Sequence, residues 1–388
     1  MAGPLEGLKV VELGVWVAGP AAGGILADWG ADVIKIEPPT GDPARMFGRM
    51  LGIEDGVSPP FEMDNRGKRS IVLDVTTDEG RATASELLSN ADVFLTNVRP
   101  AALRRTGLDF ETVASRNPRL VYGLITGYGE TGPDADRAAY DVAAFWARAG
   151  LAHLLTRPGE APPFQRGGMG DHTAGMTLAA AVCAALVART RTGKGQLVST
   201  SLYRQGAYTV SFDLNTFLMT GHSIAIGQRE TMGNPCMNNY TAGDGRRFWI
   251  VGLQGERHWP ALCRAVGRPD WLDDPRFSTG RSRAANAVDL IGELDEIFAT
   301  RPLEEWAKAF AQEPDFFWSP INSIEDVMAD EQFHAAGGVV YVPDGDAGAS
   351  MVATPADFHG TPWHPRSAAP RLGEHTGEIL AELTGRSA

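Results

Sequence analysis

The sequence predicts an α/β protein with a doubly wound, Rossmann-like large domain and a smaller α+β domain. Strand and helix signals alternate through the first part of the chain, and the strands are runs of apolar, β-branched residues. After about residue 225 the pattern changes to longer helical periods. Alternating strands and helices favour a parallel sheet with helices on its faces. The 388 residues allow two to three domains of roughly 150 residues each.

The opening of the chain indicates a βαβ unit. Residues 8–13 (LKVVEL) and 31–37 (ADVIKIE) predict strands, and residues 19–30 (GPAAGGILADWG) predict the helix between them. This helix has Pro20 near its start and Gly30 at its end, which is the usual asymmetry of a helix. The first two strands are therefore expected to run parallel.

The alternation continues along the chain. Strands are predicted at 69–75, 92–98 and 118–129, and a helix with acids in its first turn is predicted at 76–91. We assign residues 1–225, including a linker, to the first part of the large domain.

The later part of the chain predicts a small domain over residues 226–320. A strand at 245–253 is followed by helical periods at 258–277 and 286–311. The tail, 337–360, alternates in the manner of a hairpin or an edge strand.

Composition excludes several classes of protein. The net charge of −13 argues against nonspecific nucleic-acid binding. Cys183, Cys236 and Cys263 are far apart and form no CxxC, so neither a disulfide framework nor a zinc site is predicted. No signal-peptide pattern begins the chain, and the longest apolar run, 176–188, is shorter than the about 20 residues of a membrane span. We expect a cytoplasmic protein with no nucleic-acid or membrane partner.

Common catalytic and cofactor motifs are missing. The turn after the first strand lacks GxGxxG and contains Trp16 and Val17, so close approach of NAD or FAD pyrophosphate is not expected. No Walker A or GxSxG motif occurs. The HxxE at 375–378 stands alone, and no metal site is predicted.

Two basic clusters lie beside predicted strands. The first precedes a strand and the second follows one, which places the second at the ligand-binding end of a parallel sheet. Two interpretations are open. The cations bind a phosphate-bearing ligand, or they are ordinary loop residues that face solvent. The clusters are Arg66, Lys68 and Arg69, and Arg99, Arg104 and Arg105.

Asp171 follows the small residues 167–170 and precedes an apolar helical run. It has two interpretations. Asp is a favoured N-cap. Alternatively, the helix dipole keeps the carboxylate ionised, and it attacks a thioester in covalent catalysis. His172 is adjacent, but neighbouring helical residues point apart, so it need not share the site.

Six segments together carry a resemblance to a known family. The chain resembles the family III CoA-transferases of the CaiB/BaiF type, which include formyl-CoA transferase and the carnitine and bile-acid enzymes. The likeness runs nearly from end to end. The segments are 4–45, 64–81, 97–133, 170–176, 192–202 and 369–380.

The resemblance implies a function and a site. It implies a CoA-transferase acting on acyl-CoA and a free carboxylic acid, without a metal, in an interlocked homodimer. The small domain is then an insertion, and residues 321–388 complete the large domain. The nucleophilic aspartate of the family falls on Asp171. The segments that contact CoA fall on Val17, Ala18, Leu73, Asp74, Val75, Thr76, Asn97, Val98, Arg99, Arg105 and residues 138–141, which include Ala138, Tyr140 and Asp141.

Two departures bear on the substrate. Val15, Trp16 and Val17 stand where formyl-CoA transferase has His-Val-Gln, and its polyglycine loop is matched by 230–240 with only Gly233. Formyl or oxalyl transfer is therefore not expected. The apolar residues suit a larger, less polar acyl chain as a hypothesis.

Two other functions are weighed against transfer. The related 2-methylacyl-CoA racemases place a histidine where this chain has Tyr140, followed by Asp141. A phenol, with an ordinary pKa of about 10, is a poor base near pH 7. Transfer is therefore favoured over α-proton movement. A non-catalytic acyl-CoA binding protein is the third hypothesis, and it needs no reactive Asp171.

Overall fold

The computed structural model describes residues 3–53, 57–225 and 227–385. The chain divides into two compact units. The first unit is assembled from three stretches, and the second contains one long stretch and one short one. The first comprises Met1–Thr156, Pro162–Ile224 and Gln332–Ala388, and the second comprises Arg157–Ala161 and Ala225–Glu331.

The first unit is built on a six-stranded sheet in which all paired strands run parallel. The strands are β1 Lys9–Leu13, β2 Asp32–Glu37, β3 Arg69–Val72, β4 Val93–Thr96, β5 Val121–Thr126 and β6 Leu197–Ser201. Their order is β3-β2-β1-β4-β5-β6, the order of doubly wound dinucleotide-binding sheets. The predicted α/β class with a parallel sheet is confirmed.

Helices connect these strands. The α-helices of this part of the chain are α1 Ala18–Asp28, α2 Phe47–Met50, α3 Pro59–Asn65, α4 Asp78–Ser89, α5 Pro100–Thr106, α6 Phe110–Arg116, α7 Leu151–Leu154, α8 Met169–Thr192, α9 Leu202–Thr209 and α10 Ser211–Thr220. A π-helical segment, Val142–Arg148, precedes α7.

Both faces of the sheet are buried. Val10 and Val93 belong to a core that includes side chains of α1 and α8. The next residues, Val11 and Phe94, belong to a second core with side chains of α4 and α6. Because successive strand residues point to opposite faces, this alternation places one helical layer on each side.

α8 is the long central helix of the unit. With 24 residues, it is long and apolar enough to cross a membrane by length and composition. The helix extends beyond the apolar run at 176–188, so its length alone does not exclude a membrane span. Ala174, Leu178 and Val182 are nonetheless buried, in the core shared with α1 and the sheet. A core helix passes the same test of length and composition.

The second unit has an antiparallel sheet and an aromatic core. Its strands, in the order β7-β8-β9, are β7 Met237–Thr241, β8 Arg247–Val251 and β9 Trp318–Pro320. Its helices are α11 Gly255–Ala265, α12 Gly280–Ala285, α13 Ala287–Phe298, α14 Leu303–Phe310 and α15 Ile324–Ala329. Phe248 meets Phe298 edge to face, with ring centroids 5.0 Å apart. The strand predicted at 245–253 corresponds to β8.

The end of the chain contains the predicted hairpin. It follows α16 Glu331–Ala335 and is formed by β10 Val339–Asp344 and β11 Ala347–Val352, which pair antiparallel. Gly345 in the two-residue turn has a φ of 57°, which favours glycine. The last helix in the described part of the chain is α17 Thr376–Leu383, whose Ile379 is fully buried.

Candidate active site

A cleft of about 120 Å³ lies at the carboxyl ends of β1, β4 and β5. β1 and β4 are the neighbouring strands at which the strand order reverses. Open α/β sheets bind their ligands at this switch point. The residues that line the cleft are Val15, Trp16, Val17, Ala18, Asn97, Ile125, Thr126, Gly127, Ala139, Tyr140, Asp141, Asp171 and Leu202.

Asp171 lies in the first turn of α8. The helix begins at Met169, after Gly168, whose φ of 78° is in the left-handed region. Asp171 is therefore the third residue of the helix, and the interpretation of Asp171 as the N-cap was wrong. Its side chain makes no hydrogen bond with another residue that the structure describes.

The N-terminus of α8 is capped from a different segment. Asp141 Oδ2 accepts hydrogen bonds from the backbone N–H of Gly170 at 3.0 Å and of Asp171 at 3.4 Å. Gln165 donates to Asp141 Oδ1 at 2.6 Å. Asp141 is buried, and its negative charge is favourable at a helix N-terminus. Asp141 thus holds the backbone from which Asp171 projects.

The surroundings of Asp171 raise the pKa of its carboxyl to about 7. Burial is the largest cause, because it disfavours the charged form; the negative charge of Asp141 adds to it, and His172 opposes it. The helix dipole was expected to keep this group ionised, but Asp141 already accepts from the first N–H groups. Both protonation states of Asp171 are therefore populated near neutral pH.

We expect Asp171→Asn to stabilise the fold more at pH 8 than at pH 5. The pKa of Asp171 is about 7 in the folded chain and 3.8 ordinarily. The free energy of unfolding of the wild type therefore falls as the pH rises between these two values, and an asparagine at this position avoids that loss. The full shift corresponds to about 4 kcal/mol, which screening reduces to about 2 kcal/mol. Urea unfolding of both proteins at each pH measures the difference. An advantage independent of pH would contradict the raised pKa.

His172 lies against a different cavity, of about 430 Å³. Its Nε2 is 3.1 Å from Oδ1 of the buried Asp64. Although burial opposes the imidazolium, the hydrogen bond and charge of Asp64 raise the pKa of His172. His172 and Asp171 therefore line different cavities despite being adjacent.

Two polar side chains hold the loop between β1 and α1. Asn97, directly after β4, accepts from the backbone N–H of Val15 at 3.0 Å and donates to the Val15 carbonyl at 2.8 Å. Asp42 Oδ1 accepts from the backbone N–H of Trp16 at 3.0 Å. Asn97 thus joins the two loops that meet at the switch point.

All three cations of the first basic cluster form ion pairs within the fold. Arg66 and Lys68 are buried, and Arg69 also pairs with two glutamates of α17. The interpretation of these three cations as a ligand-binding cluster was therefore wrong. The pairs are Arg66–Asp28 at 2.7 Å, Lys68–Glu12 at 2.6 Å and Arg69–Asp32 at 2.6 Å.

Lys68 belongs to a fully buried network of four charges. Glu12 lies between Lys68 and Lys35, and Lys35 also pairs with Asp42 at 2.9 Å. Burial lowers the pKa of Lys68 to about 8. Burial alone works against the Glu12 carboxylate, but the two lysines outweigh it and lower its pKa. Gly23 on α1 admits this arrangement, because a Cβ there would collide with Glu12.

The predicted CoA-contacting residues divide into two sets. The set that lines the Asp171 cleft is Val17, Ala18, Asn97, Tyr140 and Asp141. The other set follows strands at the same edge of the sheet or lies in nearby segments: Leu73, Asp74, Val75 and Thr76 after β3, Val98 and Arg99 after β4, Arg105 on α5, and Ala138 in the segment before Asp141.

The second basic cluster retains unpaired cations. Arg99 and Arg105 are exposed, and neither forms an ion pair with another residue in the described part of the chain. Arg104 lies 3.4 Å from Asp136. Two guanidinium groups therefore remain available for an anion near the carboxyl end of β4.

The three thiols lie far apart in the sequence, and none of them is in a disulfide. Cys183, Cys236 and Cys263 are free. Burial raises the pKa of Cys236 and of Cys263 to about 12. Over the ranges that the structure describes, no group of three or more His, Cys, Asp or Glu side chains is arranged to hold a metal ion.

Comparison with known proteins identifies the family. Residues 5–376 match the model of CoA-transferase family III. The chain belongs to CoA-transferase family III. This family III chain is 34% identical over 386 residues to (R)-2-hydroxy-4-methylpentanoate CoA-transferase of Clostridioides difficile, covering 98% of this chain and 95% of the relative. It is 35% identical to succinate–glutarate CoA-transferase of Agrobacterium fabrum, covering 98% and 96%.

A solved structure agrees with this family III assignment. The crystal structure of a CAIB/BAIF family protein from Brucella suis matches with a TM-score of 0.87 at 34% identity, covering 99% of this chain and 100% of that one. The resemblance identified from the sequence is confirmed, and the protein is a transferase enzyme that uses acyl-CoA substrates.

These relatives do not favour the racemase alternative. The position that carries histidine in the related racemases is Tyr140, which lies at the cleft and is 64% exposed. None of the described residues that line the cleft is a histidine. The histidine with which the related racemases would move an α-proton is therefore missing from this lining.

Proposed function

We propose that this family III enzyme moves CoA from an acyl-CoA thioester to a free carboxylic acid with Asp171 as the nucleophile. The observation that carries the proposal is the contrast between the two carboxylates of the cleft. Asp141 is committed to three hydrogen bonds. Asp171 has no such commitment among the described residues and lies where ligands approach the sheet.

The first half of the reaction transfers CoA to the enzyme. A carboxylate oxygen of Asp171 attacks the thioester carbonyl, the C–S bond breaks, and CoA leaves as a thiolate while a mixed anhydride forms. The thiolate then attacks the Asp171 carbonyl carbon. The donor acid leaves as a carboxylate, and an aspartyl-CoA thioester remains.

The second half repeats these steps in reverse order with another acid. The acceptor carboxylate attacks the aspartyl thioester and expels the CoA thiolate. The thiolate attacks the acceptor carbonyl of the new anhydride, which releases the Asp171 carboxylate and the product thioester. The overall reaction consumes neither water nor an oxidant. With a pKa of about 7, part of the Asp171 population is ionised near neutral pH. This ionised fraction is the form that attacks the neutral thioester.

CoA is held, in this proposal, along the carboxyl edge of the sheet. Arg99 and Arg105 supply charge for its phosphates, because Arg pairs well with phosphate oxygens. The backbone of Leu73 to Thr76 follows β3 at the same edge. The reactive thioester end enters the cleft beside Asn97, Tyr140 and Asp171.

We also propose that the enzyme acts in the cytoplasm as an interlocked homodimer, with residues 226–320 as its small domain and 321–388 completing the large one. An exposed apolar face on α10 supports an assembly: Phe212, Leu218 and Met219 are 78%, 77% and 86% exposed. An apolar face of this kind marks an interaction surface.

Label exchange tests the proposed function. The enzyme is incubated with an acyl-CoA and an isotope-labelled free acid, and the label in the CoA thioester is followed by mass spectrometry. The proposal predicts transfer of label with ping-pong kinetics. Deuterium entering the α-carbon without CoA exchange would instead identify a racemase. CoA binding without either reaction would identify a binding protein.

A further inference from the structure

We propose that Trp16 restricts the Asp171 cleft to acyl groups of monocarboxylic acids that carry a single ring or an equally bulky branched chain. The inference rests on the proposed CoA-transferase function and assigns its substrate class. It follows from the backbone of one loop, from the size of the cleft and from the charges that line it.

The backbone at Trp16 is held in an unfavourable conformation. Its φ of 64° lies in the left-handed region, and it is the one non-glycine residue with positive φ among the described residues. Such a backbone costs about 1 kcal/mol or more and persists where surrounding contacts enforce it. Asp42 bonds the Trp16 N–H, Asn97 bonds Val15, and Lys35 donates to the Gly14 carbonyl at 3.0 Å. These contacts thus fix the backbone from which the indole projects.

The indole forms one wall of the cleft. Its ring lies 5.3 Å from that of Phe47 and 5.9 Å, edge on, from that of Tyr140. Apolar side chains such as Ile125 and Leu202 also line the cleft, together with polar groups that include Asn97 and Asp171. The volume is about 120 Å³, close to the about 150 Å³ of an apolar cavity that holds benzene. One ring, or a branched chain of similar volume, therefore fills it.

The charges of the cleft disfavour dicarboxylic acyl groups. Asp141 and Asp171 are both acidic, and none of the described residues that line the cleft is a lysine or arginine. A second carboxylate on the acyl group would approach these acids without a cation to balance it, and a buried like charge is unfavourable. An uncharged acyl chain meets no such opposition.

Specificity constants for four thioesters test the inference. The enzyme is assayed by CoA exchange with 3-phenylpropionyl-CoA, 4-methylpentanoyl-CoA, acetyl-CoA and succinyl-CoA, each with its matching labelled acid. We expect kcat/KM for the first two to exceed that for succinyl-CoA by about 100-fold. Succinyl-CoA equal to or better than both bulky substrates would overturn the inference while leaving the transferase function intact. No exchange with any thioester would instead contradict the proposed function.

Variants at Trp16 test the assignment to that side chain. Trp16→Gly suits the positive φ and removes the wall, and Trp16→Asn is a second variant that tolerates this backbone. Both are checked for folding by thermal melting. We expect the preference for 3-phenylpropionyl-CoA over acetyl-CoA to fall by about tenfold or more. Tyr341→Ala, an exposed aromatic on β10, is the matched control and should keep the preference. A ratio unchanged in folded Trp16 variants would contradict the role of Trp16.

Discussion

Replacing Asp171 by alanine is expected to reduce the rate of CoA exchange by about 10⁴-fold or more, which corresponds to about 5 kcal/mol of barrier. The reason is the proposed covalent step: without this carboxylate, no anhydride or enzyme-bound thioester forms. The remaining lining carboxylate, Asp141, cannot substitute because its oxygens bond Gln165 and the N-terminus of α8. The measurement is label exchange under saturating substrates.

Two controls separate chemistry from structure. Affinity of Asp171→Ala for CoA, measured by calorimetry, should stay within about threefold of the wild type, because the proposed phosphate contacts lie elsewhere. Asp289→Ala removes another first-turn aspartate, which is exposed on α13, and should leave exchange unchanged. Exchange that persists in Asp171→Ala at more than about a hundredth of the wild-type rate would contradict the assignment.

Replacing Glu12 by glutamine is expected to destabilise the fold by about 3–5 kcal/mol. Glu12 lies between Lys35 and Lys68, and all three side chains are fully buried. The substitution keeps the shape of the side chain but leaves the Lys68 charge without its anionic partner. Because the pKa of Lys68 is already lowered to about 8, the loss should be larger at pH 7 than at pH 9.5, where Lys68 is neutral.

Urea unfolding measures this loss. Glu304→Gln is the matched control, since Glu304 and Lys308 form an exposed ion pair at 2.8 Å. An exposed pair contributes about 0.5 kcal/mol or less. Equal losses in the free energy of unfolding of Glu12→Gln and Glu304→Gln would contradict the view that the burial of Glu12 makes its ion pairs critical for stability.

Much of the fold follows from local patterns. The parallel sheet was predictable because β-branched runs alternate with helical segments. β6 was not predicted, because LVSTS follows a glycine-rich turn and contains three hydroxyl residues. The start of α8 was hard to predict, because Gly170, Asp171 and His172 in its first turn do not continue the apolar pattern.

The site was predictable only in part. Asp171 could be singled out because a lone acid stands among glycines, but its cap comes from Asp141, whose bond to Gly170 spans 29 residues that no local pattern connects. The sequence alone does not distinguish an Arg66 or Lys68 that faces solvent from one that pairs with a buried acid. Only the tertiary structure reveals that Asp28 and Glu12 lie opposite them.

The most direct test of the central claim is the chemical state of Asp171 during turnover. The wild-type enzyme is incubated with an acyl-CoA that it turns over, quenched with hydroxylamine, digested and analysed by mass spectrometry. We predict that the peptide containing Asp171 carries a hydroxamate on that side chain when acyl-CoA is present and not when it is omitted. CoA exchange that proceeds while this carboxyl stays unmodified in every sample would contradict the account.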